Sequence, residues 1–249
     1  MTTYSDKRST LDGPDPRPIL LAPILFAVAL VLWGNVVSAI LGPTAQLPGG
    51  SWPFVLSGAL LIGATLLWSR RAALAPRELG LVFDGALTGS ALGLAAALSI
   101  ALPAVALLRS GFPLGQPIAY GPLAGVDDRA LALHVALFLP LGAVLPEELA
   151  FRGALLGALL RRSGAVSAAV GSAVAFACWH VGVIFVTVRD TPLASSPLFP
   201  LAIAAALAVV FVGGLLFAAL RLRTGTLAST IALHWAFNAA VLVGLRVAS

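Results

Sequence analysis

Charged residues are scarce in this chain of 249 residues. Only 10% are Asp, Glu, Lys or Arg, whereas roughly a quarter is usual in soluble domains. Hydrophobic residues make up 59%, and the mean hydropathy is +1.01. A soluble globule of this size leaves about a third of its chain surface in water, and this chain lacks the polar side chains to cover it. We therefore exclude a soluble domain and a disordered chain, and expect an integral membrane protein.

Cysteine and lysine are nearly absent. The one cysteine, Cys178, excludes an internal disulfide, and its apolar surroundings predict a small buried side chain. Lys7 is the one lysine, so almost every basic residue is an arginine. These arginines lie between apolar runs and are not clustered with aromatic residues. This pattern indicates membrane topology signals and no nucleic-acid partner, and the Ala- and Arg-rich composition suggests a bacterial source.

Seven apolar runs occupy most of the chain after a polar N-terminal stretch, residues 1–17, which we predict to be a cytoplasmic tail. Each run is near the roughly 20 residues that a membrane-spanning helix needs. The sequence predicts an all-α, multipass transmembrane helix bundle of about seven (six to eight) spanning helices, in a single domain over residues 18–249. The runs are 18–41, 53–69, 85–108, 130–160, 165–186, 198–220 and 227–245.

The basic residues between these runs favour one orientation. If each run crosses once and the N-terminus is inside, ten Lys and Arg residues fall on the inner side and four on the outer side. An excess of basic residues on the cytoplasmic side is typical of membrane proteins. We expect a cytoplasmic N-terminus in a bacterial inner membrane.

The fourth run, 130–160, is longer than one crossing requires. It contains Pro140 and Pro146 and ends just before Arg161-Arg162. A helix of its own typically has proline at its first position, acidic residues in its first turn and basic residues in its last turn. Pro146, the two glutamates after it and the terminal arginines follow this order. The run is either one kinked helix or two helical pieces, and we prefer one crossing.

Three charged residues lie inside apolar runs, and all three are in this fourth run: Glu147, Glu148 and Arg152. A charge at the bilayer centre costs about 2.5–3.5 kcal/mol on insertion scales. Glu148 and Arg152 are four residues apart and can pair on one helix face. Glu147 is rotated by about 100° from Glu148, so it is free to face a cavity as a general base. A purely structural ion cluster is the alternative.

The chain has three histidines. His180 and His234 lie inside apolar runs, and Asn238 follows His234 by four residues, so both can donate hydrogen bonds from one helix face. His134 precedes Glu147 by 13 residues, which is roughly 220° on a regular helix. We predict that His134 faces elsewhere as a core residue.

Three short motifs in these runs resemble one family. The stretch 147–152 resembles the EExxxR motif of the CPBP intramembrane proteases, also called the CAAX protease and bacteriocin-processing family, or Abi family. The stretch 176–180 resembles its FxxxH motif, and 234–238 its HxxxN motif. The resemblance covers about residues 130–245, and 77–81 (RELGL) is a faint further family feature.

The resemblance implies an intramembrane endopeptidase that cuts a membrane-associated or lipidated, CAAX-like protein or peptide. Glu147 would be the catalytic glutamate and would activate water together with His180. His234 and Asn238 would hold the oxyanion, and we expect them to act as neutral donors. Glu148 and Arg152 would support the site.

Metal dependence has two interpretations. Glu147, His180 and His234 form a possible zinc ligand set with room for a water, and the family has often been described as metalloproteases. The HExxH motif, which places two ligands on one helix turn, is absent. We prefer a site that needs no cofactor, with zinc as the alternative.

Two other functions fit the same residues. Buried acids and histidines also carry protons or ions in multipass transporters, although the chain shows no internal repeat of the kind many transporters have. A non-catalytic immunity or scaffold member of the same family is the other alternative. No serine, cysteine or lysine lies in a recognisable nucleophile motif, which makes covalent catalysis the weaker mechanism.

Overall fold

The structure is a computed structural model that describes residues 17–41, 51–112 and 114–246. In these ranges it contains eight α-helices and no strand. The predicted tail, residues 1–17, lies outside them except for Arg17, the first residue of α1. The helices are α1 Arg17–Leu41, α2 Ser51–Arg71, α3 Ala86–Arg109, α4 Asp128–Leu160, α5 Ala165–Trp179, α6 Val181–Arg189, α7 Phe199–Thr224 and α8 Leu227–Arg246.

Six of these helices are long and apolar enough to cross a membrane. The shorter α5 and α6 meet at a 43° bend and together form a seventh candidate span. Large apolar side chains such as Leu21, Ile40 and Leu102 are exposed on the outside of the bundle, where lipid rather than water suits them. The chain is an integral membrane protein with an all-α multipass fold, as the sequence predicts. Cys178 is exposed, so the prediction that it is buried is wrong.

Helix α4 is one continuous but irregular helix. It follows π-helical geometry over His134–Phe138, Pro140–Val144 and Glu148–Leu155. Proline has no backbone N–H and clashes with the carbonyl four residues earlier, and a π turn absorbs such a local misfit. The helix therefore continues through Pro140 and Pro146, and the alternative of two separate pieces is not observed.

Helix α3 packs against α8 along a stripe of small residues. Gly89, Gly93, Ala97 and Ala101 recur every four residues and are buried. A Cβ atom at Gly93 would collide with the backbone oxygen of Ser229. Small residues let two backbones approach closely within a membrane. This contact fixes the position of α8, which carries the third motif.

The core surrounds the second half of α4. The ring of Phe151 meets Phe176 and Trp179 edge to face, with centroid distances of 5.1 and 5.5 Å. Every residue from Glu148 to Leu155 is buried. The motif residues of α4 are thus held in a densely packed frame.

The two ends of the bundle are identified by contacts between their loops. At one end, Arg161 at the end of α4 donates to the backbone oxygens of Ala72 and Ala73, and the N–H of Leu227 donates to Gly80. The loops there, 72–85, 161–164 and 225–226, contain most of the arginines outside the helices, and we call this the arginine-rich end. The loops 110–127 and 190–198 meet at the opposite end.

Candidate active site

A cavity of about 870 Å³ lies inside the bundle. Its walls are mainly apolar, and four of the residues singled out from the sequence line it: Glu147, His180, His234 and Asn238. They come from α4, the α5–α6 bend and α8. The three separated motifs therefore meet at one cavity.

Glu147 reaches this cavity from the short α-helical turn that precedes the last π stretch of α4. The residue is 8% exposed, and its Oε2 atom has no hydrogen-bond partner among the described residues. Trp179 lines the same cavity at the end of α5. Gly34 allows the Trp179 ring to lie against α1, because a Cβ atom at Gly34 would collide with that ring.

His180 lies at the bend between α5 and α6. Its Nδ1 is 2.8 Å from the backbone oxygen of Phe176. A carbonyl oxygen can only accept, so Nδ1 carries the proton, and Nε2 of the neutral ring is an acceptor. Nε2 lies 3.7 Å from Oε2 of Glu147, too far for a direct hydrogen bond. Both atoms are acceptors, so a water bound to the two would donate one hydrogen to each.

Glu148 is turned away from that gap. It is completely buried, and its Oε1 accepts from Nη1 of Arg152 at 3.3 Å and from Nδ1 of His234 at 2.8 Å. The first contact is the i,i+4 pair expected from the sequence. The second joins residues 86 positions apart, and no local sequence pattern indicates it.

The contact with Glu148 determines how the His234 ring can act. Because Arg152 is paired with Glu148 as a carboxylate, Nδ1 of His234 must donate the shared hydrogen. A neutral ring then offers Nε2 only as an acceptor. His234 can donate from Nε2 only as the charged imidazolium, so the expectation of a neutral donor at this position does not fit the structure.

Arg152 is held by aromatic rings as well as by Glu148. Its guanidinium carbon lies 3.8 Å from the ring centre of Phe176 and 4.6 Å from that of Phe217, distances typical of cation–π contacts. The structural ion cluster considered as an alternative exists, and it consists of Glu148, Arg152 and His234. Glu147 forms no hydrogen bond with these three side chains, and it lines the cavity.

Asn238 and His134 complete the polar lining near the motif residues. Asn238 is half-buried on α8, one turn beyond His234. His134 is buried and lines the same cavity, so the prediction that it faces elsewhere is wrong. Two π stretches lie between His134 and Glu147. Each inserts one extra residue, or about 100°, which reduces the 220° separation to about 20°.

The zinc alternative has no support in this arrangement. In the described ranges, no three His, Cys, Asp or Glu side chains are grouped so that they can hold a metal ion. The possible ligands Glu147, His180 and His234 do not form such a group, and Nδ1 of His234 is bound to Glu148. The preference for a site without a metal stays a prediction.

Comparison with known proteins agrees with the motifs. The family model described as type II CAAX prenyl endopeptidase, Rce1-like, matches residues 129–240. This segment runs from the start of α4 into α8 and contains all three motifs. The match covers a little under half of the chain and supports the resemblance to the CPBP family over these residues. No curated protein and no solved structure matches the chain.

The description of the matching family model, an endopeptidase, agrees with the protease interpretation of the motifs. The matched segment ends two residues after Asn238 and leaves out α1 to α3. Outside the match, α1 contributes Gly34 beneath Trp179, and α3 holds α8 in place. The part outside the match thus builds the frame around the motif residues.

Proposed function

We propose that this protein is an intramembrane endopeptidase in which Glu147 is the general base for attack by water on a peptide bond. One observation carries the proposal: Oε2 of Glu147 is buried, has no partner among the described residues and faces Nε2 of His180 at 3.7 Å. The adjacent acid, Glu148, accepts from Arg152 and His234 through Oε1, and it does not line the cavity, although its Oε2 also has no partner among the described residues. A membrane-associated or lipidated peptide is the substrate that suits the apolar walls of the cavity.

The water step follows from the two acceptors. A water within about 2.8 Å of Oε2 of Glu147 and Nε2 of His180 donates one hydrogen to each, so a lone pair of its oxygen is free to attack the carbonyl carbon. Glu147 takes one proton as the new C–O bond forms. When the C–N bond breaks, the leaving amine receives that proton, which restores the carboxylate.

The developing oxyanion needs donors on the other side of the reacting carbonyl. The Asn238 amide can donate from α8, and His234 can donate from Nε2 as an imidazolium. The charges of Glu147, Glu148, Arg152 and His234 then balance to zero, which reduces the cost of burying them. Removing one oxyanion donor typically lowers turnover by about 10²–10³-fold.

No metal is needed for these steps. We expect purified protein to contain no stoichiometric zinc by elemental analysis, and its cleavage activity to survive a strong chelator. Stoichiometric zinc whose removal abolishes cleavage and whose return restores it would overturn the proposed mechanism.

The decisive test compares Glu147→Gln with the unmodified protein in liposomes. The substrate is a library of apolar peptides, each with a quenched fluorophore pair. Asp84→Asn is the matched control, because it makes the same acid-to-amide change at an exposed loop residue. We expect Asp84→Asn to cleave normally and Glu147→Gln to be inactive but folded.

Two outcomes would contradict the proposal. Normal cleavage by Glu147→Gln would remove Glu147 from its role as base. Proton movement across the liposome membrane that depends on Glu147, without cleavage of any peptide, would favour the transporter alternative.

A further inference from the structure

Within the described ranges, the cavity extends from the motif residues toward one end of the bundle only. Its lining includes Leu41 at the end of α1, Ile118 and Tyr120 between α3 and α4, and Thr191 after α6. Leu245, near the end of α8, lies on the same wall. All of these belong to the end opposite the arginine-rich end. In the described ranges, no residue of the loops 72–85, 161–164 or 225–226 lines the cavity.

The arginine-rich end is closed by the loop 72–85. Arg221 of α7 is buried, and it donates to the backbone oxygens of Arg77 and Glu78. Gly80 has a φ of 73°, and a Cβ atom there would collide with the Arg221 guanidinium. The N–H of Leu227 donates to the oxygen of Gly80. The stretch 77–81, a faint feature in the sequence, therefore links α7 and α8.

The same loop also rests directly on α4. A Cβ atom at Gly157 would lie 2.8 Å from the backbone oxygen of Glu78, and one at Gly153 would lie 3.1 Å from that of Leu79. These two glycines allow the loop backbone to approach the motif helix closely. The loop thus seals the bundle between the arginine-rich end and the buried motif residues.

The charges of the described residues distinguish the two ends. From residue 51 to residue 246, the arginine-rich end has seven arginines and two acidic residues, whereas the opposite end has four arginines and three aspartates. Loops with an excess of Lys and Arg remain in the cytoplasm. The sealed end is therefore the cytoplasmic end.

We propose that the active-site cavity opens away from the cytoplasm and receives its substrate from the non-cytoplasmic side of the membrane. The substrate class is a membrane-embedded or lipidated peptide whose cleaved bond is reached from that side. The loop 72–85 is a fixed seal that separates the cavity from the cytoplasm. That a peptide is cleaved rests on the proposed function, whereas the direction of opening does not.

The chemistry of the open end suits such a peptide. Polar side chains of His134, Tyr120, Thr187 and Thr191 line the cavity toward this end, while its other walls, apart from the motif residues, are mainly apolar. Nδ1 of His134 is buried without a hydrogen-bond partner, and a buried polar atom left unpaired is costly. A peptide that places apolar side chains inside and its backbone amides near this end can supply a partner.

The direction of opening can be tested by labelling single cysteines. In a Cys178→Ala background, Ser195→Cys marks the open end and Ser163→Cys marks the arginine-rich end. The pair is matched because both changes replace a serine hydroxyl with a thiol in a loop. A membrane-impermeant maleimide is added to spheroplasts before and after permeabilisation.

In intact spheroplasts, we expect Ser195→Cys to be labelled at least about tenfold more than Ser163→Cys. After permeabilisation, the two variants should be labelled to a similar extent. The reverse pattern, with Ser163→Cys labelled in intact spheroplasts, would overturn the proposal. Labelling does not require activity. If no peptide is ever cleaved but Ser195→Cys is labelled from outside, the proposed function fails and the direction stands.

A second experiment tests whether the substrate uses this opening. Thr187→Cys, in the same background, places a thiol on the cavity wall. The impermeant maleimide is added to intact spheroplasts that express this variant together with a cleavable peptide. We expect the label to reduce cleavage of that peptide at least about tenfold. Ser163→Cys is the control that stays active. Unchanged cleavage by a fully labelled Thr187→Cys protein would contradict entry through the cavity.

Discussion

The two ends of this bundle differ in how their polar groups are used. At the arginine-rich end, Arg161 and Arg221 bind backbone oxygens of the loop 72–85, and Glu78 pairs with Arg161. At the cavity end, Oε2 of Glu147 and Nδ1 of His134 are buried without partners. Paired groups stabilise the fold, whereas unpaired groups at a cavity remain available for a ligand. Nε of Arg221 is also unpaired at the arginine-rich end, but it lies in packed protein and does not line the cavity.

The same contrast occurs between neighbours on α4. Glu147 faces the cavity, and Glu148 is enclosed with Arg152 and His234. One carboxylate therefore belongs to the reactive part of the molecule and the next to its frame. Measuring the cleavage activity and the stability of the same variants separates these two roles.

The largest expected effect is on activity, at Glu147. We expect Glu147→Gln to lower the rate of peptide cleavage by about 10²–10⁴-fold, the typical contribution of general base catalysis. Its thermal unfolding midpoint in detergent should stay near that of the unmodified protein, because no ion pair is lost. A large drop in that midpoint would place Glu147 in the frame instead.

The next effect is on stability, at Glu148. Glu148→Gln keeps the size of the side chain but leaves Arg152 buried without its counter-charge, which typically costs about 3–5 kcal/mol. Equilibrium unfolding in mixed detergent micelles measures this loss, with Glu147→Gln as the matched control. If Glu148→Gln is fully stable but inactive, the roles of the two acids must be exchanged.

A smaller effect on activity is expected at Asn238. Asn238→Ala removes an oxyanion donor and should lower turnover by about 10²–10³-fold, with little change in substrate affinity. Steady-state kinetics separates kcat from KM. A change confined to KM would assign Asn238 to substrate binding rather than to the oxyanion.

The smallest effect is expected at the arginine-rich end, at Glu78. Hydrogen bonds from Arg161 lower the pKa of Glu78 from 4.5 to about 2. The charged pair therefore stabilises the folded state above pH 4.5, and this contribution is lost as the pH falls toward 2. Because the pair is partly exposed, Glu78→Gln should cost about 1 kcal/mol or less.

Thermal unfolding of both proteins between pH 7 and pH 3 measures this contribution. The difference between the unmodified protein and Glu78→Gln should shrink as the pH falls. A difference that stays constant across this range would mean that the side chain acts through packing and not through its charge.

The sequence alone determined the features that depend on composition and on local spacing. Low charge placed the chain in a membrane, and the apolar runs predicted the helices. The four-residue spacing of Glu148 and Arg152 predicted their pair, and with it the separate position of Glu147. These inferences succeed because the rise and rotation of a helix are nearly constant over a few residues.

Tertiary structure alone decided the features that depend on packing between distant segments. The bond between His234 and Glu148 crosses 86 positions, and it changes which form of the imidazole can donate. The π turns of α4 rotate His134 into the cavity, because packing rather than sequence spacing sets where a helix admits an extra residue. Which end of the cavity is closed depends on a loop whose backbone oxygens meet arginines from two other segments, and no local pattern records such a meeting.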